Sequence, residues 1–95
     1  MTVATTIVEQ LGGRQFCVMN GVKAMTTRPD GVAIKIGRGA KNGINIVDIT
    51  LNTNDYYDIK FKKGTKVVVE HTDVCVDVLR NTYTNATGFY CTMRG

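Results

Sequence analysis

Apolar side chains in this chain recur at two different spacings, and the switches between them outline the fold. Near the start, Val3, Ile7, Val8 and Leu11 fall at helical intervals, and Gly12-Gly13 supplies a stop where a left-handed residue is needed. This predicts a short helix over residues 2–11. Residues 15–19 then read as a strand, Asn20-Gly21 as the dipeptide of a tight type I′ hairpin turn, and residues 22–27 as the returning strand. Arg28-Pro29-Asp30-Gly31 puts Pro second and Gly fourth in a β-turn, after which Val32, Ile34 and Ile36 alternate with Ala33 and Lys35. The expected result is a three-stranded meander with one apolar face.

Residues 37–43 hold three glycines and no bulky apolar side chain, which predicts a mobile loop or an extended hairpin tip. Alternation resumes over residues 44–51, with Val47, Ile49 and Leu51 on one side and Asp48 and Thr50 on the other. Asn52-Thr53-Asn54-Asp55 is turn-rich, and Tyr57, Ile59 and Phe61 then alternate with Asp58 and Lys60. Val67-Val68-Val69 reads as a further strand before the period lengthens to that of a helix. Thr72 or Asp73 can cap that helix, and Cys75, Val78, Leu79, Thr82, Tyr83 and Ala86 form its apolar stripe. Gly88 stands at the expected stop, so the helix is predicted over residues 73–87, with residues 89–95 adding an edge strand or fraying. The fold class is α+β: an antiparallel meander sheet of about four to six strands, flanked by a short N-terminal helix and an amphipathic C-terminal helix. Residues 1–95 are expected to form a single α+β domain.

Composition narrows the function classes. With 95 residues, 43% apolar and 21% charged, the chain has the balance of an ordinary globular domain and little apolar area to spare for a deep substrate pocket. No apolar run approaches the roughly 20 residues that cross a bilayer, and the first residues lack the basic and apolar regions of a secretion signal. Cys17, Cys75 and Cys91 are odd in number and widely separated, which fits reduced thiols better than a disulfide framework. A cytoplasmic location is the expectation, in a bacterial host cell if the gene is phage-borne.

The net charge of +4 is unevenly spread. Over residues 14–41, Arg14, Lys23, Arg28, Lys35, Arg38 and Lys41 stand against only Asp30, whereas residues 44–61 carry Asp48, Asp55 and Asp58 against Lys60. Lys62, Lys63 and Lys66 form a second cluster. The candidate contact residues for a phosphate or an acidic protein are therefore Arg28, Lys35, Arg38, Lys41, Lys62, Lys63 and Lys66, weighed against a solvated face as the more common use of so modest a surplus.

Catalytic and metal chemistry find little support. His71 and Cys75 stand four apart and would share a helical face, but two ligands do not make a structural metal site, and no metal or other cofactor is expected. A cysteine nucleophile would need His71 to approach Cys17 or Cys91, and nothing in the spacing indicates it. The 37–43 segment has the glycine content of a phosphate-cradling loop without the G-K-[ST] ending or the strand-to-helix setting, so a hairpin tip is favoured. The element order loosely matches double-stranded-RNA-binding domains, with Lys62-Lys63-x-x-Lys66 ahead of the last helix. Phe16, Tyr57 and Phe61 fall on inward phases, which leaves Tyr56 and Tyr90 as a thin stacking platform.

Gln10-Leu11-Gly12-Gly13-x-x-Phe16-x-x-Met19-x-Gly21-x-Lys23, Val47-x-Ile49-x-Leu51-Asn52-x-x-Asp55-x-Tyr57-Asp58-Ile59-x-Phe61 and Thr87-Gly88 together resemble a recurring group of short uncharacterised proteins. These are encoded by bacteriophages and other mobile elements. The resemblance implies a host-directed accessory role and carries no activity, cofactor or site. The leading expectation is a non-enzymatic accessory protein that binds another macromolecule, a protein of the host (a defence component included) or of the phage before a nucleic acid. The alternative is a nucleic-acid-binding protein using the basic loop and the lysine-rich segment, and a weaker third is a small enzyme assembled across a homodimer interface. A homodimer is expected in any case, as cover for the Val67-Val68-Val69 segment.

Overall fold

A computed structural model describes residues 3–37 and 39–89 of the chain. Helices α1 (Val3–Leu11) and α2 (Arg14–Met19) lead into five strands, β1 (Ala24–Arg28), β2 (Gly31–Lys35), β3 (Ile46–Leu51), β4 (Tyr57–Lys63) and β5 (Lys66–Val74). Helix α3 (Leu79–Thr87) follows, and single 3-10 turns lie at Lys41–Gly43 and Val76–Val78. The strands form one sheet in the order β1-β2-β3-β4-β5, each antiparallel to its neighbours.

Register follows from the period-two pattern. Val32 pairs with Ile49 and Ile34 with Val47, and those two pair onward with Ile59 and Phe61, so one sheet face is apolar from β2 to β4. The helices bury complementary stripes on it: Ala4, Ile7 and Leu11 from α1, Phe16 from α2, and Leu79, Tyr83 and Ala86 from α3. All of these join the strand residues in one core cluster, in which Phe16 and Tyr83 meet edge to face with ring centroids 5.1 Å apart. The opposite face, including Thr26, Lys35, Lys60 and Glu70, is exposed. Among the described residues, no helix is long and apolar enough to cross a membrane.

The α+β meander expected from the pattern is the observed architecture, and two of its elements differ. Residues 15–19 form α2 and not a strand. The run Phe16-Cys17-Val18-Met19 does not alternate, so periodicity could not choose between the two. In the fold Phe16 is buried while Val18 is 74% exposed, although both would share one strand face. Asn20-Gly21 therefore ends a helix where a hairpin was expected: both the backbone N–H and the Nδ2 of Asn20 donate to Phe16 O, at 3.0 and 2.9 Å, and Gly21 takes a φ of 59°.

The second difference is at the last helix, expected from residue 73 and found from Leu79. Strand β5 runs on to Val74, which pairs with Tyr57 and is buried. Asp58 Oδ1 accepts from the Asp73 N–H at 3.2 Å, and Asn52 Nδ2 donates to Asp58 and Asp73 carboxylates at 3.0 and 2.8 Å. These bonds hold Asp73 against β4, and neither Thr72 nor Asp73 caps a helix. His71 and Cys75 accordingly share no helical face; His71 lies on β5 with its ring edge-on to Phe61 at 6.2 Å. The stops at Gly12-Gly13 and Gly88 and the turns at residues 28–31 and 52–55 fall where the sequence put them. Of the tail, expected over residues 89–95, only Phe89 is described, and it lies in neither a helix nor a strand; residues 90–95, Cys91 among them, lie outside the described residues.

Candidate functional site

The connection from β2 to β3 is pinned at several points, against the expectation of a free hairpin tip. Ala40 and Ile44 are buried in the core, so the loop turns back on the sheet. The Gly37 N–H donates to Asn20 O at 2.9 Å, and a Cβ on Gly21 would stand only 3.5 Å from Gly37 Cα. Lys23 N–H donates to Lys35 O at 2.8 Å, Ile36 N–H to Asn45 O at 2.9 Å, and Asn45 N–H to Lys62 O at 2.9 Å. These bonds carry the ladder one step past the strand ends and frame a cleft of about 360 Å³ at that end of the sheet.

Lys23, Lys35, Gly37, Gly39, Gly43 and Asn45 give the cleft its polar lining, and no carboxylate lines it. Both lysines are exposed, and neither has an ion pair among the described residues. Asn45 Oδ1 already accepts from the Gly64 N–H at 2.9 Å, which leaves its amide nitrogen as the remaining side-chain donor. Lys63 packs along Gly43, its Nζ 3.5 Å from where a Cβ on Gly43 would be.

The seven basic candidates separate into different roles. Arg28 is spent inside the fold: it bonds Asp48 Oδ1 at 2.5 Å and Thr50 Oγ1 at 2.9 Å. Lys62 lies 3.5 Å from the other oxygen of the same Asp48. Lys41 reaches over Gly88 and donates to Asn85 O at 3.4 Å, at the C-terminal end of α3 where a cation suits the helix dipole. Lys35 lines the cleft, Lys63 borders it, and Lys66 is exposed at the β4–β5 turn. Arg38 lies outside the described residues. Of the described candidates, Lys35 alone lines the cleft, with Lys63 beside its Gly43 wall, and Lys23 and Asn45 join the lining without having been sequence candidates.

A second feature lies along β1. A mainly apolar groove of about 200 Å³ runs between α1 and β1, lined by Ala4, Val8, Met25, Thr27 and Val32 together with Thr5 and Glu9. Strand β1 is an edge of the sheet, so one row of its backbone groups faces away from any partner strand. It is short and exposed over Ala24 to Thr27, with no charged residue before Arg28. The other edge, β5, is protected: Lys66, Glu70 and Asp73 put charge along it, its pairing with β4 shifts register twice, and Asp73 has a φ of 54°.

The chain matches no family model, no curated protein and no solved structure. What the two features can do is therefore argued from their chemistry. Among the described residues no group of three His, Cys, Asp or Glu side chains is placed to hold a metal ion. The titratable group moved furthest by its surroundings is Tyr57, whose phenol burial pushes above its usual 10.0; it donates to Gln10 Oε1 and belongs to the core rather than to either cleft.

Proposed function

We propose that this domain is a non-enzymatic binding module that takes an extended segment of another protein along the free edge of β1. One observation carries the reading: an unblunted edge strand lies beside an apolar groove, so an added strand would find backbone partners on β1 and a place for alternate side chains between β1 and α1. The resemblance to proteins of phages and mobile elements makes a host protein the partner of choice, met in the cytoplasm. The nucleic-acid alternative is weakened because Arg28, Lys41 and Lys62 are engaged within the fold.

Selection of peptides from a random display library tests this. Segments with alternating apolar residues are expected, and binding should slow amide hydrogen exchange at residues 24–28. Met25→Lys, at a side chain 37% exposed, should weaken binding roughly tenfold or more with little loss of stability. Peptides that bind without protecting β1, or equally well to the variant, would sink the reading. If light scattering shows a dimer in which β1 is already protected, the occupant is a second copy of the chain and the homodimer expectation moves from β5 to β1.

A further inference from the structure

We infer that the cleft lined by Lys23, Lys35, Gly37, Gly39, Gly43 and Asn45 is a binding site for a phosphate group, carried either by a small phosphorylated compound or by the end of a nucleic-acid strand. The inference goes beyond the strand-docking reading and does not depend on it, since β1's groove and this cleft share no lining residue.

The chemistry of the lining argues for an anion. Two exposed ammonium groups and one side-chain amide donor line the same space with no carboxylate among them. Three other cations of the sheet have carboxylate partners: Arg28 and Lys62 share Asp48, and Lys60 lies 3.9 Å from Glu70. The bond from Lys23 N–H to Lys35 O joins the two backbones at the cleft, and neither lysine has an ion pair among the described residues. A dianion in the cleft supplies that counter-charge and can accept hydrogen bonds from both.

Shape supports the same ligand. Gly37, Gly39 and Gly43 leave the loop's part of the wall without side chains, so a ligand approaches backbone directly. A Cβ at Gly37 would stand 3.3 Å from Asn20 O, and one at Gly43 would press the Lys63 side chain at 3.2 Å, so glycine also keeps Lys63 at the rim. The volume of about 360 Å³ lies at the low end of the roughly 300–1,000 Å³ of small-molecule sites, enough for a phosphate with a modest group attached. The walls are held by the core through Asn20, Ala40 and Ile44, so the site is largely formed before a ligand arrives.

An NMR titration of the whole chain at low salt tests the site with three probes: inorganic pyrophosphate, and a short single-stranded oligonucleotide with and without a 5′-phosphate. Saturable shifts are expected at the amides of Gly37, Gly39, Gly43 and Asn45. Pyrophosphate binding there supports a small phosphorylated ligand; binding only of the 5′-phosphorylated strand supports a strand end. Lys23→Gln and Lys35→Gln, both at exposed positions, should each weaken binding about tenfold, the loss of one charge-assisted contact. Lys60→Gln, on the same sheet outside the cleft, should leave it unchanged. No saturable shift with any probe, equal binding of both oligonucleotides, or an equal loss in Lys60→Gln overturns the assignment.

Discussion

Asn20 ties three elements together. Its side-chain nitrogen closes the end of α2 on Phe16 O, its Oδ1 accepts from the Tyr83 hydroxyl of α3 at 2.7 Å, and its backbone oxygen holds Gly37 at the cleft wall. Asn20→Ala removes the acceptor of a hydroxyl on a 1% exposed side chain and should cost about 1–3 kcal/mol in urea denaturation, more than Tyr83→Phe, which deletes the donor and leaves the amide other uses. Tyr57 offers a test on the pH axis. Burial raises its pKa above 10.0, so folded and unfolded chains both hold the proton below about pH 10 and the stabilisation is full there. Above that the unfolded chain ionises first, and stability falls until the folded phenol ionises too. Tyr57→Phe should flatten the alkaline limb of a stability–pH curve while leaving its neutral region nearly parallel to the parent's. The sequence marked Asn20 for a turn and Tyr57 for an inward phase but neither hydrogen bond, because partners 63 and 47 positions apart leave no local pattern.

At the scale of elements, the strands were legible wherever one face is core and the other is not. Val32 and Ile34, Val47 and Ile49, and Tyr57, Ile59 and Phe61 are all buried as the alternation requires. Helix α2 was illegible because six residues give too short a window to separate a helical from an extended run. The start of α3 was misplaced because the clamp of Asp58, Asn52 and Asp73 that prolongs β5 is a contact between distant residues, whereas Thr72 and Asp73 look locally like caps. Of the predicted stripe, Leu79, Tyr83 and Ala86 are buried on α3, whereas Cys75 and Val78 precede the helix and Val78 is exposed. Leu79 is fully buried, so Leu79→Asp should cost more than about 3 kcal/mol, while Val78→Asp next to it, at 45% exposure, should stay within about 0.5 kcal/mol. Thermal denaturation of the pair separates a docked helix face from a mere dislike of new charge. The basic cleft was half legible: Lys35 and Lys63 were named from charge density, but Lys23 joins them only through the pairing that sets it beside Lys35.

For the whole molecule, charge bookkeeping turns on Asp48, which occupies two of the seven basic candidates at once and keeps the open sheet face a mosaic of both signs. A surface of that kind discourages a long polyanion, whereas the cleft at the sheet's end concentrates its cations in a space sized for one ligand. The sheet's order has a consequence of another kind. Every strand pairs with the one before it in the chain, so each hairpin forms by closing a short loop, and the chain can zip from any of them. The most remote segments meet where α3 clasps the first helices, Arg80 Nε donating to Gln10 O at 2.8 Å across 70 positions, with the Tyr57–Gln10 bond spanning 47. Gly31 belongs to the early part, since a Cβ there would lie 2.2 Å from Ile49 O and push β2 off β3. In stopped-flow mixing, Gly31→Ala should therefore slow refolding, whereas Leu79→Ala should leave refolding nearly untouched and hasten unfolding. That pair of outcomes would make the closing helix the domain's clock, joining last on the way in and setting by its release how long the folded molecule survives.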